Sequence, residues 1–141
     1  MTETLVVDAS VAIKWVVDEV GTDRALNVRA FGLIAPQLIV AECANILWRK
    51  VARRELTRDE AILAMKLLEQ SGVALVSMRG LGDAALALAI DLGHPAYDFA
   101  DLALALQRGL RFVTADRRLL AIVRERATSE IAAHFVGLEA F

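Results

Sequence analysis

The stretch Leu5-Val6-Val7-Asp8-Ala9-Ser10 decides how the rest of the chain is read. An apolar, β-branched run that delivers a carboxylate as it ends has the character of a buried central strand with an acid at its mouth. In open α/β sheets, ligands sit beyond the carboxyl ends of the strands, where the connectivity reverses. Asp8 also has a plainer reading, as the cap of the helix that follows, because Asp and Ser are both favoured N-caps. Acids at matching places elsewhere in the chain would favour the first reading.

Outward from that stretch, Val11 to Val17 predicts a helix opened by Ser10, and Thr22 to Ala30 a second one. Leu33-Ile34-Ala35 predicts a buried strand, with Pro36 placed to begin a helix. From Leu38 to about Val51, the apolar positions Leu38, Ala41, Ala44, Ile46, Leu47 and Val51 give a helical period. Glu42 and Asn45 lie three apart on one face of it. A glutamate in the first turns of an apolar helix needs a partner or solvent. It suits the positive helix N-terminus, and it also stands just after a strand end, where a ligand would sit. Arg49, Lys50, Arg53 and Arg54 close the helix, either complementing its dipole or forming a phosphate-tracking patch. Thr57-Arg58-Asp59-Glu60 is a capping box opening a helix that runs to Gly72. Val73 to Val76 is a third strand, and Ser77-Met78-Arg79 follows it with no acid.

A helix from Leu81 to Leu92 ends at Gly93, and His94-Pro95 forbids its continuation. His94 reads as a loop or capping residue. The next helix carries Tyr97 to Ala105, and its i, i+3 spacing points Asp98 and Asp101 the same way. Two acids on one face of an apolar helix repel each other unless a cation lies near. Leu110 to Thr114 forms a fourth strand, and Ala115-Asp116 then repeats the opening pattern of strand, small residue and acid. His134 to Leu138 is a short fifth strand at an edge, with His134 an edge residue without chemistry. Alternating strands and helices imply right-handed βαβ units around a parallel sheet, in one domain over residues 1–141.

The bulk composition narrows the function. The chain has 141 residues, 57% of them hydrophobic, and a mean hydropathy of +0.48. No uncharged apolar run reaches the ~18 residues of a membrane span, and Met1-Thr2-Glu3-Thr4 does not resemble a signal peptide. A cytoplasmic protein is expected, and the single cysteine, Cys43, suits a reducing compartment and reads as a small buried hydrophobe. A net charge of −2 argues against binding nucleic acid by bulk positive charge. Apart from Lys14, Lys50 and Lys66 the basic residues are arginines, which suit bidentate phosphate contacts.

Asp8, Glu42, Asp98 and Asp116 all fall at a strand end or in the first turns after a loop, places that converge on one edge of a parallel sheet. Four gathered carboxylates call for a hard divalent cation, and oxygen-only ligation fits Mg²⁺ or Mn²⁺ rather than zinc. Without these acids the remainder of the chain carries +2. Such a site, with no Gly-rich phosphate loop, points to water activated by one or two ions and to phosphodiester hydrolysis. Thr114 would orient a ligand or the water, and Lys14, Arg117 and Arg118 would hold the substrate backbone. A haloacid-dehalogenase-type phosphatase wants an acid where Ser10 stands, and a receiver domain wants one after the third strand. Both are disfavoured.

Val6 to Trp15, Ala35 to Leu38 continuing through Glu42 to Trp48, Gly93 to Asp98, and Thr114 to Leu119 together resemble the PIN-domain family, most closely the VapC-type toxins of type II toxin–antitoxin pairs. The resemblance spans essentially the whole chain. It implies a three-layer α/β/α domain around a parallel sheet of four to five strands, and an Mg²⁺- or Mn²⁺-dependent endoribonuclease. It further implies inhibition by a small antitoxin protein that buries a helix or extended segment in a groove, and homodimerisation. Carried over by position, Asp8, Glu42, Asp98 and Asp116 are metal-binding acids, with Thr114, Asn45 and Ser10 as supporting polar groups. Where the family often has an aromatic residue, this chain has Asp101, either an extra or replacement ligand or a solvated helix residue. Two other readings stay open: a catalytically silent module binding RNA or protein, and a nuclease acting on DNA.

Overall fold

In the computed structural model, which describes residues 2–141, β1 (Thr4–Val7) lies at the centre of a five-stranded, all-parallel sheet. On one side come β2 (Gly32–Pro36) and then β3 (Ala74–Val76). On the other come β4 (Arg111–Thr114) and then β5 (Phe135–Gly137). The chain steps outward from β1 to β3, then crosses back to β4. The reversal therefore falls between β1 and β4, the switch point at which ligands bind in open sheets.

Successive residues of a strand face opposite sides of its sheet, and β1 uses both. Leu5 and Val7 pack into a core beneath α1 (Ala9–Ala12), α2 (Thr22–Val28), α3 (Leu38–Ala52) and α4 (Arg58–Glu69). Val6 faces a second core beneath α5 (Gly82–Leu92), α6 (Ala100–Arg108) and α7 (Arg117–Arg126). The result is the three-layer α/β/α arrangement expected. In the second core Phe112 of β4 and Phe135 of β5 meet edge to face, with ring centroids 4.9 Å apart. The capping box at Thr57 and Glu60 forms as expected, each side chain bonding the other's backbone N–H. Among the described residues, no helix is long and apolar enough to cross a membrane.

Several local expectations need correction. Pro36 does not begin a helix; it ends β2 opposite Val76, and the amide of Gln37 still donates to the Val76 carbonyl at 2.8 Å. The next helix therefore starts at Leu38, with Ile39, Cys43 and Leu47 inward, while Ala41 and Ala44 stay exposed. The larger side chains set the rotation of the helix, because an alanine gains little by burial. The segment after Asp8 is only one α-turn followed by a 3₁₀ turn at Ile13–Trp15, consistent with the low helix propensity of its β-branched residues. The helix expected over Tyr97–Ala105 is divided into a 3₁₀ turn at Ala96–Phe99 and α6.

Phe112 is completely buried, so Phe112→Ala should lower stability by about 3–5 kcal/mol. Arg118→Ala, on the exposed face of α7, should stay within about 0.5 kcal/mol of wild type. Urea unfolding midpoints check both.

Candidate active site

Asp8 occupies the N-cap position of α1 with an extended backbone, yet its side chain bonds no helix amide. Its Oδ2 accepts hydrogen bonds from the Ser10 hydroxyl at 2.7 Å and the Thr114 hydroxyl at 2.5 Å. Each hydroxyl is itself aimed by the backbone after β4: Ala115 N–H donates to Ser10 Oγ and Asp116 N–H to Thr114 Oγ1, both at 3.0 Å. Ser10, expected to open the following helix, stands inside α1 instead, and Thr114 was expected to orient a ligand or the water. Both hydroxyls direct their protons at Asp8 and join the mouths of β1 and β4.

The other acids reach the same edge from different elements. Glu42 lies in the second turn of α3, half-buried. Asp116 caps α7, its Oδ1 accepting from Leu119 N–H at 3.1 Å. Asp98, in the 3₁₀ turn, has its Oδ2 2.6 Å from Nε2 of His94. Asp8, Glu42, Asp98 and Asp116 line one open cavity of about 460 Å³, together with Ser10, Asn45, Arg49 and Tyr97. Tyr97 is 73% exposed at its rim.

The remaining candidates stand elsewhere. Asp101, in the first turn of α6, is 3% exposed and is not part of the cavity wall. Lys14 and Arg117 line a neighbouring cavity with Arg24, and Lys14 is bonded to Glu19 at 3.0 Å. Arg118 is exposed on α7. Two residues escaped the sequence reading of the site: Arg49, on the cavity wall, and His94, which contacts the wall residue Asp98. Arg49 was grouped with the helix-terminal bases, of which Lys50 is bound to Glu19 at 2.6 Å. His94 was read as a loop residue; its spacing of four from Asp98 was the available signal.

Burial and mutual repulsion dominate the electrostatics. Loss of hydration raises the Asp8 pKa, the Thr114 and Ser10 hydrogen bonds oppose this, and the charges of Asp116 and Asp98 add to it. Burial, then Asp8 and Asp98, push Glu42 up to about 8. Asp101 is raised well above the usual carboxylate range by burial and then by Asp8, Glu42 and Asp98. Burial, with Glu42 next, pushes the Cys43 thiol up to about 12, which removes it as a nucleophile. Among the described residues, no three Asp, Glu, His or Cys side chains stand close enough to enclose a metal ion as placed. The donors are nonetheless all oxygen and share one cavity, and burial with mutual repulsion raises the proton affinity of Asp8 and Glu42. That chemistry fits a hard divalent cation whose shell is completed by water.

A sequence model of the PIN domain matches residues 5–125 of this chain. Among solved structures, the crystal structure of PAE2754 from Pyrobaculum aerophilum is similar over 99% of this chain and 85% of that one, with a TM-score of 0.71 and 25% identity. No curated protein matches the chain.

The raised Glu42 pKa fixes the sign of a pH dependence. Between its ordinary 4.5 and about 8, the folded chain holds a proton that the unfolded chain has released. Raising the pH through that window therefore lowers stability. In chelator, the melting temperature should fall from about pH 5 to 8, and Glu42→Gln should flatten that slope. An identical slope in the variant would refute the assignment.

Proposed function

The chain belongs to the PIN-domain family, and from that premise we propose that it is an Mg²⁺- or Mn²⁺-dependent endoribonuclease acting as the toxin of a toxin–antitoxin pair. The observation that carries the nuclease reading is the open cavity at the β1/β4 switch point whose wall Asp8, Glu42, Asp98 and Asp116 share. These four carboxylates would hold one or two ions, and Asp101, buried outside the cavity wall, is the further carboxylate of the set. When bound, a divalent ion supplies Lewis acidity, activating water and neutralising charge that develops on the phosphodiester oxygens.

The chain's own residues supply the rest. Ser10 and Thr114 hold the Asp8 carboxylate still through one oxygen. Arg49, the basic residue on the cavity wall, takes a substrate phosphate by bidentate hydrogen bonding. Tyr97 offers an exposed ring on which an unpaired base stacks. Arg117 and Arg118 extend the phosphate track beyond Asp116. Asn45 lines the wall as a neutral polar group for water or substrate.

The toxin role rests on the VapC-type pattern of the sequence. It is supported by exposed apolar surface that an antitoxin segment or a second copy of the chain would cover: Leu63 and Leu67 on α4, Leu75 on β3, and the cavity lined by Ile39, Met65 and Leu68. A short reading frame for a small antitoxin-like protein beside this one is expected.

Asp8→Asn tests the core of the reading. It should keep the fold, since an amide oxygen still accepts from Ser10 and Thr114, and relieving a buried charge favours folding. Cleavage should fall at least about hundredfold, the effect of losing about 3 kcal/mol of transition-state stabilisation. Chelation should abolish the wild-type activity, and RNA should outcompete DNA of the same sequence. Unimpaired cleavage by Asp8→Asn would sink the assignment. RNA binding without cleavage at any metal concentration would favour a silent binding module.

A further inference from the structure

Three of the four cavity acids are tethered through one carboxylate oxygen. Asp8 is held through Oδ2 by two hydroxyls, Asp116 through Oδ1 by the Leu119 amide, and Asp98 through Oδ2 by His94 at 2.6 Å. An amide at a helix N-terminus is present whatever the sequence. The tether on Asp98 exists only because position 94 is histidine.

The imidazole is fixed on three sides. Its backbone amide follows the left-handed cap Gly93 and donates to the Ala89 carbonyl at 3.2 Å, closing α5. Its ring lies edge-on to Phe99, with centroids 5.5 Å apart and planes at 71°. Its side chain is 15% exposed, against 37% for Asp98. An ionised carboxylate only accepts hydrogen bonds, so Nε2 bears the proton directed at it. No other side-chain hydrogen bond among the described residues engages Asp98.

We propose that His94 is a positioning residue of the metal site: Nε2–H holds Asp98 Oδ2 and leaves Oδ1 as the oxygen offered to a divalent cation. This rests on reading the acid cavity as a metal site. Outer hydrogen-bonding partners of metal-ligating carboxylates fix their orientation, and losing one costs ten- to hundredfold in affinity. A histidine that only packed against Phe99 would be replaceable by any ring of similar shape.

The test is calorimetric titration of Mn²⁺ into the full chain, with the metal-free melting temperature recorded for each variant. His94→Phe keeps the edge-on ring and removes the donor; it should weaken Mn²⁺ binding about tenfold or more. His94→Asn, whose amide is too short to reach Asp98, carries the same expectation should the phenylalanine variant not fold. His94→Gln places a donor at similar reach and should stay within about threefold of wild type. In an Asp98→Asn background, His94→Phe should add no further loss, as coupled residues require. The proposal is overturned if His94→Phe and His94→Asn bind Mn²⁺ like wild type while Asp98→Asn binds weakly. A wild-type chain that takes up no Mn²⁺ would overturn the metal reading itself.

Discussion

A carboxylate withdrawn from water at the mouth of the central strand is the constraint on which this sheet edge depends. Asp8 retains 8% of its exposure, and loss of hydration is the largest influence on its proton affinity. An unassisted buried carboxylate costs several kcal/mol, whereas a hydrogen bond to a charged group returns about 1.5–3 kcal/mol. One donor, Ser10, is local; the other, Thr114, comes from across the switch point. The comfort of Asp8 therefore depends on the register that sets Val7 beside Val113. A one-residue slip between β1 and β4 would turn Thr114 to the opposite face and leave the acid short of a donor.

That local solution does not extend to the cavity as a whole. Asp98 and Asp116 add charge facing Asp8, and burial together with Asp8 and Asp98 raises the proton affinity of Glu42. Lys14 and Lys50 both bind Glu19, while Arg49 alone supplies a basic side chain to the wall. The fold thus confines like charges together without neutralising them internally. Residual frustration of this kind is expected where a site is built to receive something rather than to stabilise the chain. It also explains why the carboxylates line a shared cavity without closing on one another: in the absence of a counter-charge, their separation lowers the repulsion.

Much of this was legible in the sequence because the acids announce themselves by position. Leu5-Val6-Val7-Asp8 and Phe112-Val113-Thr114-Ala115-Asp116 are both apolar strands ending near a carboxylate, and the sheet places them side by side. The parallel sense of the sheet followed from the alternation of strands and helices, whereas the order β3-β2-β1-β4-β5 is seen only in the fold. What escaped was set by tertiary packing. The rotation of α3 depends on Ile39, Cys43 and Leu47 filling a core, and no period built on alanines reveals it. Arg49 faces the acids only as a consequence of that rotation. The role of His94 needed the 3₁₀ turn after Pro95, which brings residue 98 back to residue 94 where an uninterrupted helix was expected to begin later. Ser10 and Thr114 were read as supporting polar groups, but that both aim at Asp8 was not legible, because the hydroxyl protons follow the buried charge rather than local propensity.

How the acids are held apart, yet in range, is answered by their neighbours in the chain. Asp8 is flanked by Val7 and Ala9, Glu42 is followed by Cys43, Asp98 by Phe99, and Thr114 is preceded by Val113, all buried. Each polar group is therefore one bond away from a residue locked in a close-packed interior. Cys43 belongs to the core on one side of the sheet and Phe99 to the core on the other, so the cavity opens where two independently packed layers meet over the sheet edge. The separation of Glu42 from Asp98 is set by the thickness of the whole sandwich rather than by any contact between them. A repacking mutation deep in either layer would shift one set of ligands against the other. Such a change can weaken the site without touching it, and the acids themselves would give no sign of it.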